Sequence, residues 1–543
     1  MKTITLKKQL LLVALIFFCG VTPTIADDAT SMTLNVEAGT LSSLIPASKM
    51  YEITELKLSG ELNVEDLKVI RRMGACRKSS KDEWYDGHLQ HLDISNAEFV
   101  GDGIFVYYSK TGYGPRNFTD REYLFAGMKS LQTIELPNSM KEIDGSIFYE
   151  CSNLVSLTLP SELTTIGVNS LADCPNLMSI KIDKNNPYYY SDGAILFNKD
   201  KSKIVLAKKT LDAYSVPSSV TQIQSYAFAG CNSLIYLTLP SGLTQIEDGT
   251  FYGCSSLKSL TLPSGVTQIG AYAFQDCSSL YSLKLPSGVT QIGNSAFADC
   301  SSLQSIELPS SLTQIGDNAF NNCSSLSSLT LPSSVTLIGD GAFCRCSSLY
   351  SMTLPSSVTQ IGSSAFGSCS SLQSIELPSS LTQIGAWAFQ YCKSLKSLEL
   401  PSNLTQIGEG AFFKCSSLAS LTLPSSLREI SVGSFGECTK IETIYSYMSD
   451  PLPLNFEKSV MDNAILYVPK GSYQNYVLAD YWKEFKNIKE FDPETASINN
   501  TQSADNTKEL SRYAVNGQRL AAPTKGLNIV RYSNGTVKKV MEK

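Results

Sequence analysis

Two histidines, fifteen cysteines and a set of regularly spaced glutamates are the residues of this 543-residue chain that could carry chemistry. His88 and His91 stand near Asp86 and Asp93, a set that would suit a metal ion if it converged. His91 opens a strand-like run with no second ligand pair beside it, so the residues read as surface or end-cap groups. Cys344-Arg345-Cys346 is spaced too closely for a usual zinc pair and has no further ligands nearby. Nucleophilic catalysis needs a serine or cysteine supported by a base; the recurring Cys-Ser-Ser supplies serines, but no histidine follows residue 91. Glu135, Glu307, Glu376 and Glu399 share one outward strand position, and Glu376 and Glu399 fall on adjacent repeats. Stacked at ~5 Å they would resemble the carboxylate pair of a retaining glycosidase, but a flat face without substrate-gripping aromatics around both argues against that use. The glycines are dispersed and form no phosphate-cradling loop. No catalytic residue, metal site or cofactor is assigned, and glycoside hydrolysis stays the remotest reading.

The elements that would position these side chains are repeats. From Leu131 to Lys440 a 23-residue unit recurs twelve times, and the copy Leu257–Ser279 reads LKSLTLPSGVTQIGAYAFQDCSS. The third unit carries 34 extra residues, since Cys174 to Cys231 spans 57 positions while every later step to Cys438 spans 23. Such periodicity predicts a stacked solenoid rather than a series of globular domains. Within a unit, Leu260-Thr261-Leu262 alternates as a short strand that Pro263 ends. Val266 and Ile269 form a second apolar segment, Gly270 favours a turn, and Ala273, Phe274 and Cys277 lie on a short helical or irregular return. Gln224, Glu247 and Ser431 replace the turn glycine in other copies, so the turn does not demand glycine. Stacked at ~4.8 Å, the apolar residues form ladders, of which the phenylalanines from Phe228 to Phe435 are the bulkiest.

Twelve cysteines, Cys151 to Cys438, occupy one core position per unit. Side chains pointing in parallel at the rung spacing lie outside the ~3.5 to 4.5 Å between Cβ atoms that a disulfide requires, so they are read as buried free thiols packed as small apolar residues.

The pattern LxxLxLPxxLTxIGxxAFxxCxx is similar to the repeat of BspA-type leucine-rich-repeat surface proteins. That resemblance implies a right-handed, curved, β-rich α/β solenoid with a parallel sheet on its inner face, and a surface or secreted adhesion protein. The insert at about 183–216 looks like a hairpin elaboration, with turn signals at Asn185-Asn186-Pro187 and Ser191-Asp192-Gly193. Residues 27–130 read as an N-terminal cap of irregular repeats with a helix at Val64–Met73, residues 441–491 as the C-terminal cap, and residues 492–510 as a polar linker. Residues 511–543 read as small antiparallel strands with an Asn534-Gly535 turn and resemble the end of a type IX secretion sorting domain, although that domain is usually longer. A terminal hairpin without a sorting role is the other reading.

Lys2, Lys7 and Lys8 before the apolar run Leu10–Phe18, with Thr24-Ile25-Ala26 after it, read as a signal peptide over residues 1–26. Lipidation of Cys19 is a competing reading, disfavoured by Phe18 before it. No later run is long enough to span a bilayer. A net charge of −6 argues against nucleic acid. Asn117-Phe-Thr119 and Asn403-Leu-Thr405 would accept glycans only in a eukaryotic setting. What the repeats offer is a face: a Ser/Thr stripe that includes Ser259 and Thr261, edged by Tyr236, Tyr281 and Tyr350 and by Lys284, with Glu307, Glu376 and Glu399 on the same side. Such a face suits an extracellular protein or glycoprotein ligand, host or microbial, with glycan capture as the alternative.

Overall fold

The computed structural model describes residues 30–76, 85–101, 124–143, 147–148, 150–168, 170–171, 174–431 and 433–493, together with the backbone of four C-terminal strands. The repeat-rich chain divides into two compact units, Met1–Leu372 and Gln373–Lys543. Both are built from rungs of short parallel strands, as a β-solenoid of leucine-rich repeats.

The first unit opens with a six-stranded parallel sheet of Ser31–Val36, Glu55–Leu62, His91–Phe99, Thr133–Glu135, Ser156–Leu159 and Ser179–Ile182. Their register aligns Met32, Leu56, Leu92, Ile134, Leu157 and Ile180 in one buried row. The strands Ser31–Val36, Glu55–Leu62 and His91–Phe99 thus begin the stack themselves. The helix Val64–Met73 falls where the sequence places it. It starts at Asn63, whose Oδ1 accepts the Glu65 N–H at 2.9 Å, while Asp66 Oδ2 accepts the Asn63 N–H at 2.9 Å, a reciprocal cap of orphan donors. Asp66 is buried, and it also accepts the N–H groups of Gly39 at 2.6 Å and Leu41 at 2.9 Å, tying the helix to the turn beneath it.

Each repeat rung has three sides. The Leu-x-Leu side pairs in parallel at some rungs, such as Ser282–Lys284 with Ser305–Glu307, but Ser259–Thr261 and Ser328–Thr330 fall in no strand. The expected strand at Leu260-Thr261-Leu262 is therefore an extended segment outside the ladder. The second side is the more regular: Gln245–Ile246, Gln268–Ile269, Gln291–Ile292, Gln314–Ile315 and Leu337–Ile338 pair in register, with isoleucine inward. Gly270, Gly293 and Gly316 follow these strands, and their role differs from the turn the sequence suggested. A Cβ on Gly293 would lie 2.5 Å from the Ala271 nitrogen, and one on Gly316 would lie 2.6 Å from Asn294 Oδ1, so glycine is there for close rung contact.

The third side corrects the helical alternative for the return. It is an arc of turns in which alternate N–H groups bond to the next rung: Tyr272 to Asn294 O at 2.8 Å, Phe274 to Ala296 O at 2.7 Å, Asp276 to Ala298 O at 2.9 Å. The flanking residues adopt positive φ, 59° at Tyr272 and 60° at Asp276, and the same pair recurs at Ser295/Asp299 and Asn318/Asn322. Left-handed backbone costs an L-residue roughly 1–2 kcal/mol, which the inter-rung bonds offset. Between the pair, phenylalanine points inward. Phe274, Phe297, Phe320 and Phe343 stack at 5.3–5.4 Å between ring centres with planes within 7°.

Among the described residues the cysteines are free thiols, and the twelve ladder members are buried. They do more than fill space: Cys277 Sγ donates to Phe251 O and Cys300 Sγ to Phe274 O, each at 3.1 Å, one rung back. That carbonyl already accepts an N–H within its own rung, from Cys254 to Phe251 O at 3.1 Å, so both lone pairs are used.

Within the insert Ile195–Asn198 pairs antiparallel with both Tyr189–Ser191 and Lys203–Ala207, and the last of these pairs in parallel with Gln222–Ile223. In the second unit, Thr443–Ser446, Ile465–Pro469 and Asn487–Phe491 continue the parallel sheet beyond Ser420–Leu423. The phenylalanine stack ends there as Phe435 meets Phe456 at 6.2 Å, closed by the edges of Trp482 and Phe485, each 5.6 Å from Phe456. Trp482 Nε1 donates to Leu452 O at 2.8 Å and the buried Tyr476 hydroxyl to Met448 O at 2.8 Å, so neither ring buries an unmet polar atom. Glu509–Ala514, Arg519–Leu520, Gly526–Tyr532 and Val537–Glu542 form an antiparallel sheet whose first strand starts inside the stretch read as linker. The signal segment with Cys19, the Asn117 sequon and the Asn534-Gly535 turn lie outside the described residues.

Candidate functional site: two repeated faces

Because alternate residues face outward, the Leu-x-Leu side carries the residues singled out from the sequence. Tyr236 begins the strand Tyr236–Thr238, opposite Ala213, and is 68% exposed. Tyr281 and Tyr350, 49% and 54% exposed, hold one position three rungs apart; their N–H groups bond to Lys258 O and Ser327 O, each at 3.2 Å. Ser259 and Thr261 are exposed on the rung between those of Tyr236 and Tyr281, on the unpaired segment. Lys284 and Glu307 are brought together in an ion pair of 2.9 Å, and the hydrogen bond from Lys284 to Glu307 raises the lysine pKa. Both side chains are largely exposed, so water screens the pair and its contribution to stability is small. Glu376 and Glu399 end the strands Ser374–Glu376 and Ser397–Glu399 in the second unit, exposed at equivalent positions of an open surface.

The histidines have ordinary partners. His88 Nδ1 lies 2.8 Å from Tyr51 O, and His91 Nδ1 lies 2.9 Å from Thr133 Oγ1. Burial pushes the Asp93 carboxyl up, but hydrogen bonds from Lys57 and Ser95 outweigh it and hold the group below the usual carboxylate range. Among the described residues no three His, Cys, Asp or Glu side chains converge as a metal site. Burial raises the thiols of Cys231, to about 11, and Cys151, to about 12, and likewise those of Cys254 and Cys277, which keeps these four protonated and unreactive near neutrality.

The second face was not singled out from the sequence. A groove of about 460 Å³ runs along the Gln-Ile-Gly strands, over five rungs from Gln245 to Leu337. Gln245, Gln268, Gln291 and Gln314 line it on one side and Asp248, Asn294 and Asp317 on the other, with the tightly packed glycines between. The acidic side is held in place: Asp248 Oδ1 accepts the Ala271 N–H at 2.7 Å, Asn294 Oδ1 the Asp317 N–H at 3.0 Å, and Asp317 Oδ1 the Asp340 N–H at 2.9 Å. None of the nine residues chosen from the sequence lines this groove. The signal available was the glutamine itself, which recurs outward before isoleucine in unit after unit.

Comparison with known proteins accords with the architecture. The model of the BspA type leucine rich repeat region matches residues 119–201, 202–327, 267–395 and 313–442, in six copies. Similar solved structures include a leucine-rich repeat protein from Bacteroides ovatus, 24% identical over 80% of this chain and 94% of that one, with a TM-score of 0.47. Another, from Eubacterium ventriosum, is 24% identical over 70% and 94% of the two chains, with a TM-score of 0.45. A leucine rich cell surface protein from Faecalibacterium prausnitzii is 24% identical over 57% of this chain and 97% of its own, with a TM-score of 0.34. No curated protein matches. Among the described residues no helix is long and apolar enough to cross a membrane. With matches spanning more than half of its length, the chain belongs to the BspA-type leucine-rich repeat family, whose members are typically surface proteins and generally non-catalytic.

Proposed function

We propose that this chain is an exported, non-enzymatic binding protein that engages an extracellular protein or glycoprotein, host or microbial, through the Leu-x-Leu face. The observation that carries the reading is the exposure of Tyr236, Tyr281 and Tyr350 on rungs whose leucines are buried. A large aromatic held rigidly in water is a binding anchor in waiting, because burying it on a partner costs little side-chain entropy. Lys284 and Glu307 beside Tyr281 supply a charged rim, while Ser259 and Thr261 leave the surface between the anchors low. On this reading the N-terminal segment directs export, and the C-terminal strands assist it.

The test is binding of purified residues 27–543 to arrayed matrix proteins, mucins and glycans. A protein ligand whose affinity falls tenfold or more in the Tyr281→Ala/Tyr350→Ala double variant supports the reading. Loss of binding after the ligand is deglycosylated moves recognition to its glycan. A ligand bound equally well by the double variant removes this face from recognition.

A further inference from the structure

We infer that the groove on the Gln-Ile-Gly strands is a second binding site, and that its ligand is a neutral, linear, extended glycan occupying about four rungs. The inference does not depend on the tyrosine-bearing face, which lies on another side of each rung.

The first observation is the spacing of identical groups. Gln245, Gln268, Gln291 and Gln314 sit in register on hydrogen-bonded parallel strands, so their amides recur every ~4.8 Å. Equal donors and acceptors at equal intervals on a rigid backbone complement a ligand that repeats the same groups at nearly the same interval. An extended β-linked pyranose chain advances by close to one strand spacing per ring and, although alternate rings are flipped, offers hydroxyls to the same side at every ring, whereas an extended peptide advances by about 3.4 Å per residue and drifts out of step within two rungs.

The second observation is that three of these four amides are unused. Among the described residues, Gln268, Gln291 and Gln314 form no side-chain hydrogen bond, although all three are exposed. In the second unit, by contrast, Gln383 Nε2 donates to Gln406 Oε1 at 2.8 Å, so an amide ladder of this type can close on itself. Each free amide offers one donor group and one acceptor to ligand hydroxyls.

Charge narrows the class. The groove is lined by Glu247, Asp248 and Asp317 and by no basic residue, so anionic polymers such as uronate chains or nucleic acids are repelled. Carboxylates and amides facing each other across a floor without side chains are acceptors and donors suited to vicinal hydroxyls. The floor is fixed, because a Cβ on Gly270 or Gly339 would lie 2.6 Å from the preceding rung.

The groove also has ends. At the first rung Glu247 replaces the floor glycine and its Oε1 accepts from Gln245 Nε2 at 2.5 Å, while at the fifth rung Leu337 replaces the glutamine and is 45% exposed. The distance between these rungs is about 19 Å, four strand spacings. A finite length sets the expected ligand at about four rings rather than an indefinite polymer.

The test is calorimetric titration of the full chain with a cello-oligosaccharide series from dimer to hexamer, with oligogalacturonate and an extended neutral peptide as comparators. Affinity is expected to climb with each ring and level off at the tetramer, and Gln291→Ala to weaken it about tenfold. Leu337→Gln restores the residue that the neighbouring rungs carry, so it folds as they do, and because Gln360 follows on the next rung it is expected to move the plateau past the tetramer to the pentamer or hexamer. Absence of binding by the whole neutral series at millimolar concentration overturns the inference. So does preference for oligogalacturonate or the peptide, or binding that neither variant alters while thermal melts show both folded.

Discussion

Replacing Phe320 by alanine tests whether the aromatic stack holds the rungs together. Phe320 is fully buried, with Phe297 at 5.3 Å on one face and Phe343 at 5.4 Å on the other. Phe→Ala in a core costs about 3–5 kcal/mol, the spread reflecting how far the site can collapse. Here collapse is restricted, since the Phe320 N–H bonds to Ala342 O at 2.8 Å and the Asn318 and Asn322 N–H groups bond to the same neighbouring rung. The rings above and below are held by equivalent bonds in their own arcs and cannot close the gap, which places the cost near ~4 kcal/mol. Because a solenoid's stability is a sum over neighbouring rungs, the loss should appear locally first. Urea denaturation with hydrogen-exchange mass spectrometry is the assay: a lower midpoint, with protection lost in peptides covering residues 297–343 ahead of the rest. Phe320→Leu, which refills most of the volume, should recover more than half of the loss. A midpoint unchanged by Phe320→Ala, or equal losses from alanine and leucine, would refute the stack as the main contributor.

Alkaline pH should weaken the fold through the thiols. A thiol raised by burial favours the neutral form in the folded state, so its contribution is complete below the ordinary value near 9 and declines as pH rises toward the folded value, about 11 for Cys231 and about 12 for Cys151. Each such thiol removes about 1.4 kcal/mol per pH unit in that window, and urea midpoints that stay flat between pH ~8.5 and ~10.5 would contradict the buried ladder. Gly316→Ala is expected to cost about 1–3 kcal/mol, because the new methyl would lie 2.7 Å from the Gly293 carbonyl carbon, backbone that cannot swing aside, and must push the neighbouring rungs apart. A thermal melt reads this directly, and a neutral result would mean that the rungs are less tightly held than their spacing implies.

Much of the architecture was legible because one rung repeats: an inward residue recurring at a fixed interval can only be a ladder, whatever its detailed geometry. The helix Val64–Met73 was equally legible, since Asn63 and Asp66 cap it within its own sequence. The arc was not. Tyr272 and Asp276 are ordinary residues forced into left-handed backbone by bonds to a rung 22 residues ahead, a tertiary demand that leaves no local sequence signal. The thiol donors were hidden in the same way, since whether a cysteine is filler or donor depends on the carbonyl of the preceding rung. The tyrosine face was visible because aromatic residues among serines stand out. The glutamine groove was not, because each glutamine taken alone looks like any solvated outward residue and only stacking places four of them in line.

The arc has a direction. Between repeat rungs such as those of Tyr272 and Asn294, the arc turns N–H groups toward the successor and carbonyls toward the predecessor, so the last arc is left with donors that need another acceptor. In the second unit Lys414 still finds one, at Gly436 O, 2.8 Å away. One rung later, the Glu437 N–H meets the Glu457 carboxylate instead, at 3.1 Å. A side-chain acceptor satisfies the donor without presenting a new row of donors beyond it, and the negative charge is unfavourable to another carbonyl edge. Glu457 thus closes the arc of this rung with a side chain, meeting the Glu437 donor where no further arc supplies a carbonyl.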